Sequence, residues 1–190
     1  MRVLAKDRAD LIEALVAEVD LGRVTAGLLE KDEHLTDALR AVFALEFEHV
    51  GLVLCGGRSL AKAHGLIERM SEDADIKVVL TESGRQLSRT KLRSYLGDEV
   101  RIRVGRALSD IGLVEEPDKA VTFNEYRYLH SQWMYRRSYP VTAGLRPNLH
   151  LELTQRTSVL PIEHTSLCAL ADRSAGQAGS PFSVSTISLA

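Results

Sequence analysis

Cysteine is scarce in this 190-residue chain, with two residues, Cys55 and Cys168. They stand alone, with no second ligand at zinc spacing, which excludes a disulfide framework and a thiolate metal knuckle. An excess of one charge is also missing. Lys and Arg number 24 against 26 Asp and Glu, for a net charge of −2, so no global field draws the chain to nucleic acid and any polyanion site must be a local patch. No apolar run is long enough to span a bilayer, and the opening MRVLAKDRADLIEALVAEVD carries acids where a signal peptide needs an apolar core. A cytoplasmic protein without a membrane partner is the expectation. Two nucleotide signatures are absent as well: neither Gly-x-Gly-x-x-Gly nor a Walker Gly-Lys-Ser/Thr occurs. What is present, 45% hydrophobic and 26% charged residues, is the make-up of a globular domain with a substantial core.

The densest chemistry lies between residues 53 and 80. An apolar strand over 51–55 runs into Gly56-Gly57, and a helix is expected from about Ser59. Paired glycines after a strand let the backbone approach a ligand and leave N–H groups free at a helix start, which suits a phosphate. Lys62 lies about one turn into that helix, within reach of the same phosphate, although a solvated surface lysine fits there too. Leu60, Ala63, Leu66, Ile67 and Met70 recur at helical spacing and pack on a sheet. The next stretch, DADIKVVL, alternates. Asp73 and Asp75 share one face, and Ala74, Ile76, Val78 and Leu80 the other. Two neighbouring carboxylates repel, and oxygen-only ligands suit Mg²⁺ or Mn²⁺ with substrate phosphates completing the shell.

Gly-Gly-x-Ser followed by Asp-x-Asp resembles the signature of the DNA polymerase β-like nucleotidyltransferases. The finer run GGRSLAKAHGLIERMSEDADI is similar to the AbiEii/AbiGii-type nucleotidyltransferase toxins, through Gly56, Gly57, Ser59, Leu60, Lys62, Arg69, Ser71, Asp73 and Asp75. Arg58 stands where that family usually has Thr, and Met70 where it usually has Phe. The resemblance implies an α+β fold, a polymerase β-like core with a mixed sheet flanked by helices and preceded by N-terminal helices. It also implies a third carboxylate from a neighbouring strand, in the form apolar–acid–apolar, which Leu151-Glu152-Leu153 fits. An edge-strand glutamate facing solvent fits the same residues.

Outside this stretch the reading is mostly structural. Residues 7–19 form an amphipathic helix; a second helix starts near Val24 or Thr25 and a third near Thr36. Residues 1–48 are read as a helical segment packing on a core domain of residues 49–190. Leu-Glu-Lys-Asp at 29–32 resembles a segment upstream of the glycine turn in the toxin family, with no chemistry attached. Between 83 and 108 arginines gather, and the alternation over 100–104 predicts a strand with Arg101 and Arg103 on one face, either solvated or meeting phosphate. Residues 112–118 read as a loop. Over 121–139 Tyr126, Tyr128, Tyr135 and Tyr139 interleave with Arg127, Arg136 and Arg137 in an extended stretch. Aromatics beside arginines stack on unpaired bases, and half-buried strands contain the same residues. His150, Glu152 and Thr154 share one strand face, opposite Leu149, Leu151 and Leu153. Residues 182–189 alternate as a last strand.

The resemblance implies a metal-dependent toxin of a toxin–antitoxin or phage-defence pair. It would transfer NMP from an NTP to an acceptor, the tRNA 3′ end, with a cognate antitoxin as protein partner. In this picture Gly56, Gly57, Arg58, Ser59 and Lys62 hold the phosphates and Asp73, Asp75 and Glu152 hold metal. Arg69 and Ser71 would support the metal strand. The family's later Glu-x-x-x-x-Lys and Arg-Asp-x-x-Asp elements do not occur here, so a truncated or impaired nucleotide-binding member is the alternative. A small-molecule nucleotidyltransferase of the antibiotic-modifying kind is a further one.

Overall fold

In the computed structural model the described residues are 1–18, 24–56, 73–141, 144–158, 160–176 and 179–188. Helix α1 (Lys6–Glu18) buries Ile12 and Leu15. Helix α2 (Ala26–Phe43) is capped by Thr25, whose hydroxyl accepts from the Leu28 N–H at 3.2 Å. It is one helix, not the two expected. Thr36, the residue that suggested a restart, turns its hydroxyl back onto the Asp32 carbonyl at 2.7 Å, and the helix runs on.

The sheet is mixed, eight-stranded, and built from β1 (Val50–Cys55), β2 (Asp73–Leu80), β3 (Val114–Glu115), β4 (Val121–Phe123), β5 (Tyr128–Met134), β6 (Leu149–Gln155), β7 (Ile162–Leu167) and β8 (Phe182–Ile187). Its order is β3-β5-β6-β2-β1-β8-β7, with β4 pairing β5 beside β3. Strands β2 and β6 run parallel, as do β1 and β8; the other pairs are antiparallel. Parallel neighbours need a long crossover, and the chain between β2 and β6 supplies it with helices and three strands.

Those helices are α3 (Glu82–Arg85), α4 (Arg89–Ser94), a π-helical turn (Tyr95–Arg101) and α5 (Ile102–Asp110). The strand expected over 100–104 is therefore helical. Leu92, Leu96, Val100, Val104 and Leu108 recur every fourth residue and are all buried, so a helical stripe prevails over a five-residue alternation. Arg101 and Arg103 do not share a strand face. Arg103 bonds Glu99 at 2.9 Å and stacks over Phe47. The expected loop at 112–118 holds strand β3 and a 3-10 turn (Pro117–Lys119).

One face of the sheet, carrying Ala74, Ile76, Val78, Leu129, Trp133, Leu149, Leu151 and Leu153, packs with α2 and the 89–110 helices into the main core. A smaller cluster joins Ile12 and Leu15 of α1, Leu29 of α2 and Ala171 of α6 (Leu170–Ser174). On the opposite face β2 and β6 carry Asp73, Asp75, Lys77, His150, Glu152 and Thr154. No helix among the described residues is long and apolar enough to cross a membrane.

Candidate functional site

The polar face takes its character from strict alternation. Along β2 and β6 the residues at every second position are buried, and Asp73, Asp75, His150 and Glu152 between them are half-exposed. Register then sets the neighbours: Asp75 pairs with Glu152 and Asp73 with His150. Two of the three carboxylates expected to act together, Asp75 and Glu152, thus lie side by side on adjacent interior strands. Strand β6 sits between β5 and β2, so Glu152 is not the edge-strand residue of the plainer reading.

Each side chain has partners. Glu152 accepts from the Tyr128 hydroxyl at 3.1 Å and from the Thr154 hydroxyl at 3.2 Å. Burial, then the Glu152 charge, raises the Tyr128 phenol above its usual range, so it remains a proton donor. Arg146 donates to Asp73 Oδ1 at 2.8 Å and lies 3.2 Å from His150 Nδ1. His150 also contacts His130 Nε2 at 3.3 Å. Burial pushes the His150 imidazole down, against the pull of Asp73, so near neutral pH it stays uncharged. Cys55 at the end of β1 points its thiol at the Asp75 carbonyl, 3.3 Å away, and burial raises its pKa, leaving a protonated thiol.

Gly56 follows β1 with φ +70°, and a Cβ there would overlap the Asp75 carboxylate. This position needs glycine twice over, for its backbone angle and for the close approach of the chain to the acid. The other phosphate-side residues read from the sequence, Gly57, Arg58, Ser59 and Lys62, lie outside the described residues, as do Arg69 and Ser71. The structure therefore brings together Gly56, Asp75 and Glu152, with Asp73 one pleat along.

Sequence reasoning missed the groups that support these acids. Lys31 on α2 is 1% exposed, and its ammonium donates to the Arg146 carbonyl at 2.8 Å. It pins the backbone of the residue whose guanidinium meets Asp73. Around it, Glu30 accepts from the backbone N–H groups of Ser138 and Tyr139, and Asp32 from that of Leu170. The stretch 29–32, read as sequence, gave only a resemblance; folded, it ties three distant segments to one helix.

The donor set suits a hard divalent cation, being all oxygen and matched in register on adjacent strands, with a glycine keeping the space beside Asp75 clear. Among the described residues no group of three or more His, Cys, Asp or Glu side chains is gathered tightly enough to hold a metal ion. The Arg146 guanidinium meets the charge of Asp73 at 2.8 Å.

A family model describing the nucleotidyl transferase AbiEii toxin of type IV toxin–antitoxin systems matches residues 37–190. The chain belongs to that family. The AbiEii match takes in the glycine turn, both aspartates and Glu152, and members of the family are nucleotidyltransferases. No curated protein sequence matches significantly. Among solved structures, MenT4, a nucleotidyltransferase toxin from Mycobacterium tuberculosis, aligns at 18% identity with a TM-score of 0.49, covering 98% of this chain. The chain spans 56% of the length of that structure.

Proposed function

We propose that this chain transfers a nucleoside monophosphate from a nucleoside triphosphate to RNA, with the tRNA 3′ end as acceptor and a cognate antitoxin as its restraining partner. The observation that carries the reading is the register pairing of Asp75 with Glu152 beside Gly56, within a chain of the AbiEii family. In such a transfer the acceptor hydroxyl attacks the α-phosphorus in line. A new P–O bond forms, the bond to the bridging oxygen breaks, and pyrophosphate leaves. Asp73, Asp75 and Glu152 would hold Mg²⁺ or Mn²⁺, which supplies neutralisation of the triphosphate charge and its alignment.

The chain's own groups divide the remaining work. Gly56 brings backbone close to the acids, and the sequence pattern assigns Gly57, Arg58, Ser59 and Lys62, outside the described residues, to the phosphates. Glu152, oriented by two hydroxyl donors, takes the proton of the attacking hydroxyl. Arg146, fixed through Lys31, keeps positive charge at Asp73. That contact also favours a second reading, a member that binds nucleotide without transferring it.

Incubation with each α-labelled triphosphate, Mg²⁺ and total tRNA separates the two, with Asp73→Ala/Asp75→Ala as control. Label on tRNA that disappears in the control is the expected result. Nucleotide binding with no label on any RNA would replace transfer with the second reading, and absence of both would remove the site.

A further inference from the structure

Of the tyrosines interleaved with arginine, most serve the fold. Tyr135 is buried against His34, with ring centroids 4.2 Å apart. Tyr139 bonds the Ala9 carbonyl and Glu13, and the Tyr126 ring packs over Gly97. Tyr128 differs. Its hydroxyl rests on Glu152, and its ring lies 5.9 Å from that of Phe123, tilted by 33°. Phe123 pairs with Tyr128 in the β4–β5 register, so both stand on the polar face, and Phe123 is 58% exposed. Two rings thus lead from the sheet edge to Glu152.

The turn beneath them is cationic. Glu125 is forked by Arg89 through two 2.9 Å bonds, and with Arg93 and Arg127 also close its carboxyl is held below the usual range. One acid there faces three guanidinium groups, in a chain of net charge −2. Arg127 also reaches Gln155 at the end of β6. The turn runs through three consecutive left-handed residues that are not glycine, Asn124, Glu125 and Tyr126. Such backbone persists only where its surroundings over-determine it, here by the Arg89 fork and the Tyr126 ring wedged on Gly97.

We infer that Phe123 and Tyr128 form a stacking platform for the unpaired end of a single-stranded polynucleotide, whose phosphates meet Arg89, Arg93 and Arg127 and whose terminal hydroxyl lies toward Glu152. An exposed ring stacked on a half-buried one, with guanidinium groups at the turn that joins their strands, offers splayed bases a flat surface and their phosphates a cationic one. A duplex keeps its bases stacked on one another and gains nothing from the rings. The direction of the strand rests on the transferase reading; the platform does not.

The test is fluorescence anisotropy of a labelled single-stranded RNA dodecamer with the full chain, without nucleotide. Phe123→Ala is expected to weaken binding by about 5- to 150-fold, the range for losing one stacked base. Phe123→Trp restores it, and the matched duplex binds less tightly than the single strand. Because Phe123 is exposed, the variant should keep the wild-type melting midpoint and its binding of a fluorescent triphosphate with Mg²⁺. Unchanged affinity in Phe123→Ala, or equal affinity for duplex and single strand, would overturn the platform. So would loss of antitoxin binding in that variant without loss of RNA binding, since the rings would then be a protein contact. If wild type neither binds triphosphate nor transfers label while RNA binding still falls with Phe123→Ala, the transfer reading fails and the platform stands. Transfer with an unchanged KM for RNA in Phe123→Ala gives the reverse.

Discussion

Lys31 and His34 stand one turn apart on α2, each 1% exposed. Lys31 keeps a carbonyl partner. His34 accepts at Nδ1 from Arg2 at 3.2 Å, and burial followed by the Arg2 charge pushes its pKa from 6.5 down to about 3. The unfolded chain takes up this proton below 6.5, the folded one only near 3. Stability should therefore fall as pH drops through that window, by up to about 1.4 kcal/mol per pH unit from this group. Glu33, raised by burial, works in the opposite sense, so comparison with a variant isolates the histidine. Melting midpoints of wild type and His34→Gln at pH 7 and 5 check it, and the acid-induced drop should be smaller in the variant. At this scale the sequence was informative where chemistry and periodicity coincide. Asp73, Asp75 and Glu152 show their face by alternation. Lys31 and Arg146 lie 115 positions apart, and nothing local links them.

Elements were legible where one period dominates. The β6 alternation leaves a single face for Glu152, and β6 forms as read. Between 89 and 110 two periods compete. The short Val-Arg-Ile-Arg-Val alternation lost because Leu92, Leu96, Val100, Val104 and Leu108 bury a continuous stripe that no strand could present. Two glycines in this run make opposite predictions. A Cβ on Gly105 would meet only the Trp133 ring at 4.0 Å, beside a cleft of about 190 Å³, so Gly105→Ala should stabilise by about 0.5–1 kcal/mol. A Cβ on Gly97 would press on the Tyr126 ring at 2.9 Å, and Gly97→Ala should lower stability and disturb the turn under Phe123. Urea unfolding of both variants reads the two signs together.

Across the whole molecule the sheet is unevenly joined. Strands β1 and β2 match over six register pairs, whereas β8 meets β1 at the single pair Leu54 and Thr186. The β7–β8 pair is predicted to open first, so native-state hydrogen exchange should show weaker protection in β7 and β8 than in β2 and β6. The mixed α+β class followed from the family resemblance of the glycine and aspartate motif; the strand order did not follow from the sequence, because it depends on pairings across long separations. Asp75 and Glu152 are neighbours in space and far apart in the chain. On the ribosome β2 emerges long before β6, with its aspartates on a strand whose β6-side edge is still open. Only after the helical crossover and the β3–β5 strands have followed does Glu152 arrive beside Asp75. In the proposed reading, translation order itself acts as a delay: between the synthesis of Asp75 and that of Glu152 the nascent chain carries only half of the proposed site, and the pairing of two strands completes it.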